Sequence, residues 1–122
     1  MDKFIIHGGK PLTGTMVPSG NKNAALPLMA ACLLTEEPIV LHNMPNITDT
    51  QTMRRLMESL GVQVRQIDAS SFEFLAKDIH PSDLDPDLCR QTRASILLAG
   101  PMLARSGELI LPPPGGDVIG RR

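Results

Sequence analysis

The chain carries an internal copy of part of itself. Asn23 to Leu41, NAALPLMAACLLTEEPIVL, aligns without gaps on Arg93 to Leu111, RASILLAGPMLARSGELIL, at an offset of 70 residues. Ala24 meets Ala94, Leu26 meets Ile96, Leu28 meets Leu98 and Leu33 meets Leu103. Ile39, Val40 and Leu41 meet Leu109, Ile110 and Leu111. A fixed period of this kind marks one supersecondary unit used twice, here a polar lead-in, an apolar helix and a strand. The units are therefore α/β. The first helix, Ala24 to Leu34, is eleven residues without a charge, and a segment apolar all round is expected to be buried all round. Two such units leave each other's helices partly uncovered. Further copies are expected beyond residue 122, and self-association of the uncovered apolar faces is expected as well.

Other segments fit around these units. KFIIHGGKPLTGTMVPSG alternates short β-prone runs with Gly and Pro and reads as two strands and a turn. PIVLHNMP reads as a strand. TDTQTMRRLMESLG reads as an amphipathic helix with Met53, Leu56, Met57 and Leu60 on one face, Thr48 or Asp49 as its N-cap and Gly61 as its stop. GVQVRQIDASSFEFLA predicts a hairpin turning at Asp68 to Ser71, and a third helical region is expected from about Pro86 to Arg105.

A length of 122 residues with 42% hydrophobic side chains is enough for one domain's core. Twelve basic residues against thirteen acidic ones, with three Phe and neither Trp nor Tyr, give no cationic stripe and no stacking platform, so nucleic acid is not an expected partner. No apolar run reaches the length of a membrane span, and that of MDKFIIHGG is too short for a signal peptide, so a cytoplasmic protein without membrane association is expected. Cys32 and Cys89, without a CxxC or a neighbouring His, read as core thiols. His7, His42 and His80 are scattered and suggest no role.

Two places carry candidate chemistry. Lys22 and Asn23 stand directly ahead of the first apolar helix, and Arg93 occupies the position equivalent to Asn23 ahead of the second. A helix start offers unpaired N–H groups and partial positive charge, so an added cation makes it attractive to an anion such as phosphate. A solvated lysine beside a turn is the plainer reading of Lys22. Pro27 removes the bond back to Asn23 and is expected to loosen the first turn, freeing backbone near Lys22. The last stretch, LPPPGGDVIGRR, sets Asp117 after two glycines, either on a mobile loop suited to a reactive group or as a turn aspartate capping its own backbone. The sequence stops on Arg121 and Arg122 without a closing element and reads as cut off.

SGNKNAALPLMAACLL, DTQTMRRLMESLG, RQTRASILLAGPMLAR and LPPPGGDVIGRR, in this order and spacing, resemble the N-terminal part of the UDP-N-acetylglucosamine 1-carboxyvinyltransferases. These are the enolpyruvyl transferases that open peptidoglycan synthesis, with roles in cell shape and division. The resemblance covers essentially the whole chain, as a third or less of a family member. It implies an inside-out α/β barrel of repeated βαβαββ units in two domains, with substrates in the cleft between them. Residues 1–18 would then be strands of the domain completed by the C-terminal part, and 19–122 the first one and a half units of the other. The implied reaction adds the sugar 3'-hydroxyl to C2 of phosphoenolpyruvate while C3 is protonated, after which phosphate leaves. No metal or redox cofactor is implied.

By motif, Lys22 and Asn23 match the KN pair that holds phosphoenolpyruvate, and Arg93 in TRAS matches an arginine of the UDP-sugar site. Arg122 matches the arginine that begins the segment gripping UDP-sugar and phosphate, a task suited to a planar guanidinium. Asp117 departs from the common pattern, in which cysteine is the proton donor to C3 and the residue alkylated by fosfomycin. A carboxylic acid can donate that proton if burial raises its pKa, but it attacks an epoxide less readily than a thiolate, so intrinsic fosfomycin resistance is expected. Two rivals remain. The sister 5-enolpyruvylshikimate-3-phosphate synthases share the fold but typically place serine where Asn23 stands, and a non-catalytic α/β module would keep the fold alone. The 122 residues by themselves are expected to be inactive, because the family's base and the second wall of its cleft fall outside them.

Overall fold

The computed structural model describes residues 3–81 and 83–116. Helix α1 (Lys22–Ala31) tightens into a 3-10 turn at Cys32–Leu34 and is followed by strand β1 (Ile39–Leu41) and helix α2 (Thr48–Ser59). Strands β2 (Gln63–Gln66) and β3 (Phe72–Leu75) come next, then helix α3 (Pro86–Gln91), a 3-10 helix (Arg93–Leu98) and helix α4 (Ala99–Ser106). From Lys22 to Leu75 this is the order of the expected βαβαββ unit without its leading strand.

One antiparallel sheet runs β1-β3-β2, with Phe74 opposite Ile39 on one side and Val64 on the other. Alternation sets its faces. Phe72 and Phe74 enter the core, while Glu73 on the opposite face accepts from Arg65 Nε and Nη2, each at 3.0 Å. The face of α2 read from the sequence is the one that packs: Met53, Leu56, Met57 and Leu60 are fully buried. Each contributes about 1.5–3 kcal/mol of burial. Gly61, at φ +97°, ends the helix in the left-handed region. Helix α2 touches α1, α3 and the 3-10 helix, which in turn touches α1.

Several expectations are corrected. Residues 3–18 form no strand, and Phe4, Ile6 and Leu12 are almost fully exposed. A strand's N–H and C=O groups need a ladder partner, and among the described residues no segment lies alongside to supply one. Helix α1 is buried on one face only: Ala25, Leu26, Met29 and Ala30 are inside, whereas Leu28 is 52% exposed. The N-cap of α2 is Ile47, whose N–H is accepted by the buried Thr50 hydroxyl at 3.4 Å, rather than Thr48 or Asp49.

The third helical region is broken at Thr92, which is extended at φ −141° and ψ 138°. Its side chain accepts the Ala94 N–H at 3.2 Å, restarting the chain as a 3-10 helix instead of continuing α3. Six residues of 3-10 helix wind about 120° further than six of α-helix. Around the break the burial pattern changes: Leu98 is buried where its equivalent Leu28 is half exposed, while Ser95 and Met102 match the buried Ala25 and Cys32 of the first copy. Leu109 to Leu111, the expected second-copy strand, is not a strand.

Cys32 and Cys89 are free and buried, as the core-thiol reading expects. Burial pushes the Cys32 thiol up to about 11 and raises that of Cys89. Among the described residues no helix is long and apolar enough to cross a membrane.

Candidate functional site

Three helix starts meet on one side of the molecule. Asn21 caps α1, its side-chain oxygen accepting the N–H of Asn23 at 2.7 Å and of Ala24 at 3.2 Å, while its carbonyl accepts that of Ala25 at 2.9 Å. The first turn is therefore closed, against the expectation that Pro27 loosens it. Asn21 supplies the acceptors, and the bond Pro27 removes lies one turn further on. What α1 offers at its start is the ammonium of Lys22, half exposed, rather than bare N–H groups.

Lys22 Nζ lies 3.2 Å from Oδ2 of Asp49, in the first turn of α2. Oδ1 of Asp49 accepts from the Thr92 hydroxyl at 3.4 Å, and Thr92 is the buried residue that starts the 3-10 helix carrying Arg93. Lys22, Leu26, Asp49, Gln91, Thr92, Arg93, Ala94 and Gly116 line a cleft of about 270 Å³. Lys22 and Arg93, 71 positions apart in sequence, thus border one cleft. One is a compact charge and the other a planar fork, and both suit phosphate oxygens.

The chain's last described segment reaches the same cleft. The N–H of Gly115 donates to the Cys89 carbonyl at 2.9 Å, and Gly116, at φ +95°, lies against Arg93. A side chain on Gly115 would run into the carbonyl of Arg90, so only glycine allows this approach. Asn23 is exposed and is not among the lining residues. Asp117 and Arg122 lie outside the described residues. Among the described residues no cluster of His, Cys, Asp or Glu is arranged to hold a metal.

Sequence reasoning missed Asp49 and Thr92 as site residues. It took Asp49 for a helix cap, and Thr92 was hidden inside what read as a continuous helix. The available signal was the polar pair Gln91–Thr92 directly ahead of Arg93, which parallels Asn21 and Lys22 ahead of Asn23.

Comparisons with known proteins agree with the resemblance read from the motifs. Relatives named UDP-N-acetylglucosamine 1-carboxyvinyltransferase include that of Bradyrhizobium diazoefficiens, 55% identical over 120 residues, covering 98% of this chain and 28% of the relative. That of Treponema denticola is 51% identical over 122 residues, covering 100% and 29%. The chain therefore spans under a third of these relatives' length. The crystal structure of the enolpyruvyl transferase NikO from Streptomyces tendae superposes with a TM-score of 0.68 at 26% identity, over 84% of this chain and 24% of that one. A family model described as EPSP synthase (3-phosphoshikimate 1-carboxyvinyltransferase) matches residues 6–122. On that match, with an enolpyruvyl transferase as its structural neighbour, the chain belongs to the EPSP synthase family of enolpyruvyl transferases.

Proposed function

We propose that this chain supplies one wall of the active site of an enzyme that transfers the enolpyruvyl group of phosphoenolpyruvate to the 3'-hydroxyl of UDP-N-acetylglucosamine, releasing phosphate. The observation that carries the reading is the pairing of Lys22 with Arg93 in one cleft bordered by Gly116. The relatives' name supports the acceptor. In this reading Lys22 and Asn23 hold phosphoenolpyruvate, Arg93 and Arg122 hold the UDP-sugar and phosphate, and Asp117 gives the proton to C3. The hydroxyl oxygen bonds to C2 as C3 gains its proton. Loss of a C3 proton then expels phosphate and restores the double bond.

The activity is proposed for a protein of the relatives' length in the cytoplasm, serving peptidoglycan synthesis and so cell shape and division; the 122 residues alone are inactive. Residues 1–18 are proposed to be strands of a second domain, a reading supported by the exposure of Phe4, Ile5 and Ile6 without a sheet partner. Aspartate at 117 is proposed to confer intrinsic fosfomycin resistance, since a carboxylate opens an epoxide poorly. Self-association of the chain gains no support from the comparisons.

Shikimate-3-phosphate is the second acceptor to test, because the matching family model bears the name of the enzyme that uses it. The experiment is phosphate release from phosphoenolpyruvate by the protein of the whole reading frame, with either acceptor, before and after Asp117→Asn. Release that needs UDP-N-acetylglucosamine and fails in the variant is expected. Release with shikimate-3-phosphate alone moves the reading to the sister reaction, and release with neither leaves a binding module.

A further inference from the structure

We propose that Asp49 is a positioning residue: braced by Thr92, it holds the Lys22 ammonium at the cleft in the orientation that an incoming phosphate or carboxylate group meets. The inference rests on reading the cleft as the phosphoenolpyruvate end of the site.

An aspartate in the first turn of a helix is ordinarily accounted for by its attraction to that end's unpaired N–H groups and partial positive charge. The bonds Asp49 accepts run outward instead, to Lys22 27 residues earlier and to Thr92 43 residues later. At the start of α2 the hydroxyl of Thr50 takes the cap-residue N–H. Thr92 works in both directions: its single hydroxyl proton goes to Asp49 at 3.4 Å, and its oxygen accepts from Ala94 at 3.2 Å. Moving it would uncap the helix that carries Arg93. The chain Lys22, Asp49, Thr92 therefore couples the two cationic residues through one carboxylate, and it leaves Lys22 two further donors for a ligand.

Stability does not explain the arrangement. Lys22 and Asp49 side chains are 50% and 38% exposed, and an ion pair in water adds little to folding. Nor does simple electrostatics, because a carboxylate beside an anion site repels the anion. Asp49 can favour anion binding only through the position it gives Lys22, so the sign of its effect is diagnostic.

The test titrates inorganic phosphate and phosphoenolpyruvate by calorimetry into the protein of the whole reading frame, as wild type, Lys22→Ala, Asp49→Asn, Thr92→Val and Thr92→Ser. Asp49→Asn keeps the shape and the contact with Thr92 but removes the charge. It is expected to weaken phosphoenolpyruvate binding about tenfold or more, toward the level of Lys22→Ala. Thr92→Val should show part of that loss and Thr92→Ser should restore it, a pair that carries the test if the Asp49 variant fails to fold. In turnover of Asp49→Asn, where Thr92 keeps its bond to Ala94, the loss should fall on the KM for phosphoenolpyruvate and leave the KM for the sugar nucleotide unmoved. Equal or tighter anion binding by Asp49→Asn overturns the proposal, as does wild-type protein that binds neither anion. Asp49-dependent binding in a protein without turnover would remove the enzymatic reading and leave this inference standing.

Discussion

The guanidinium of Arg105 donates to the carbonyl oxygen of Leu33 at 3.1 Å, across 72 residues of sequence. It also donates to the carbonyls of Thr35, Ala76 and Lys77 and meets Glu36 at 3.2 Å, with its own side chain only 16% exposed. One side chain thus closes the end of the first copy's helix against the end of β3, using a donor fork that lysine lacks. Arg105→Lys should destabilise the fold by about 1–3 kcal/mol, since carbonyls lose partners without regaining water. Glu36→Gln, on the exposed arm, should stay within about 0.5 kcal/mol. Urea midpoints of the two variants check this, and equal midpoints would refute it.

Leu56 is fully buried in the face of α2 that packs on the other helices, whereas Leu103 on α4 is 53% exposed. Leu56→Ala should cost about 2–5 kcal/mol through lost burial and a cavity. Leu103→Ala should cost well under half of that. Thermal unfolding of both variants measures the ratio.

Burial raises the Cys32 thiol from 9.0 to about 11, and its Sγ donates to the Leu28 carbonyl at 3.3 Å. The folded state holds this proton more tightly than the unfolded chain does. Its stabilising contribution is therefore complete below pH about 9 and disappears as pH rises toward about 11. Unfolding free energies measured across that window should fall more steeply for wild type than for Cys32→Ala. Parallel slopes would show that the thiol is not the titrating group.

Gly115→Ala should break the bond to Cys89 and lift the loop from Arg90, because the new methyl has no room. The melting temperature should change little, as the segment lies outside the core, while turnover of the whole protein should drop at least about tenfold through a misplaced loop. A variant that turns over like wild type would show that the contact is dispensable.

Asp117→Cys should make the whole protein susceptible to time-dependent inactivation by fosfomycin, with a mass increase on that residue, because a thiolate opens an epoxide more readily than a carboxylate. Wild-type protein that is labelled at Asp117 at a comparable rate would end the resistance reading.

What could be read in advance was what local periodicity encodes. The α2 face, the hairpin and the paired helix starts at Lys22 and Arg93 all follow from residue order, and the structure brings the last two together. The break at Thr92 was illegible because its cause is a side-chain bond to Ala94 that competes with the helix rather than a Gly or Pro. Residues 3–18 form no strand here for another reason: β propensity describes a residue's fit to a sheet, and among the described residues no sheet lies alongside. Arg105 and Asp49 act on partners dozens of residues away, which no window of sequence displays. Asp117 and Arg122 were legible as motif and lie outside the described residues.

Helices α1 and α2 and the 3-10 helix all touch one another, and each begins at the rim of the cleft with Lys22, Asp49 or Arg93 near its start. The gap between the two cations is thus set from below, by the packing of three helices that share one core. Interiors packed at crystal-like density transmit even a single methylene. A change of packing in that shared core would therefore move Lys22 and Arg93 relative to each other from a distance, without touching either.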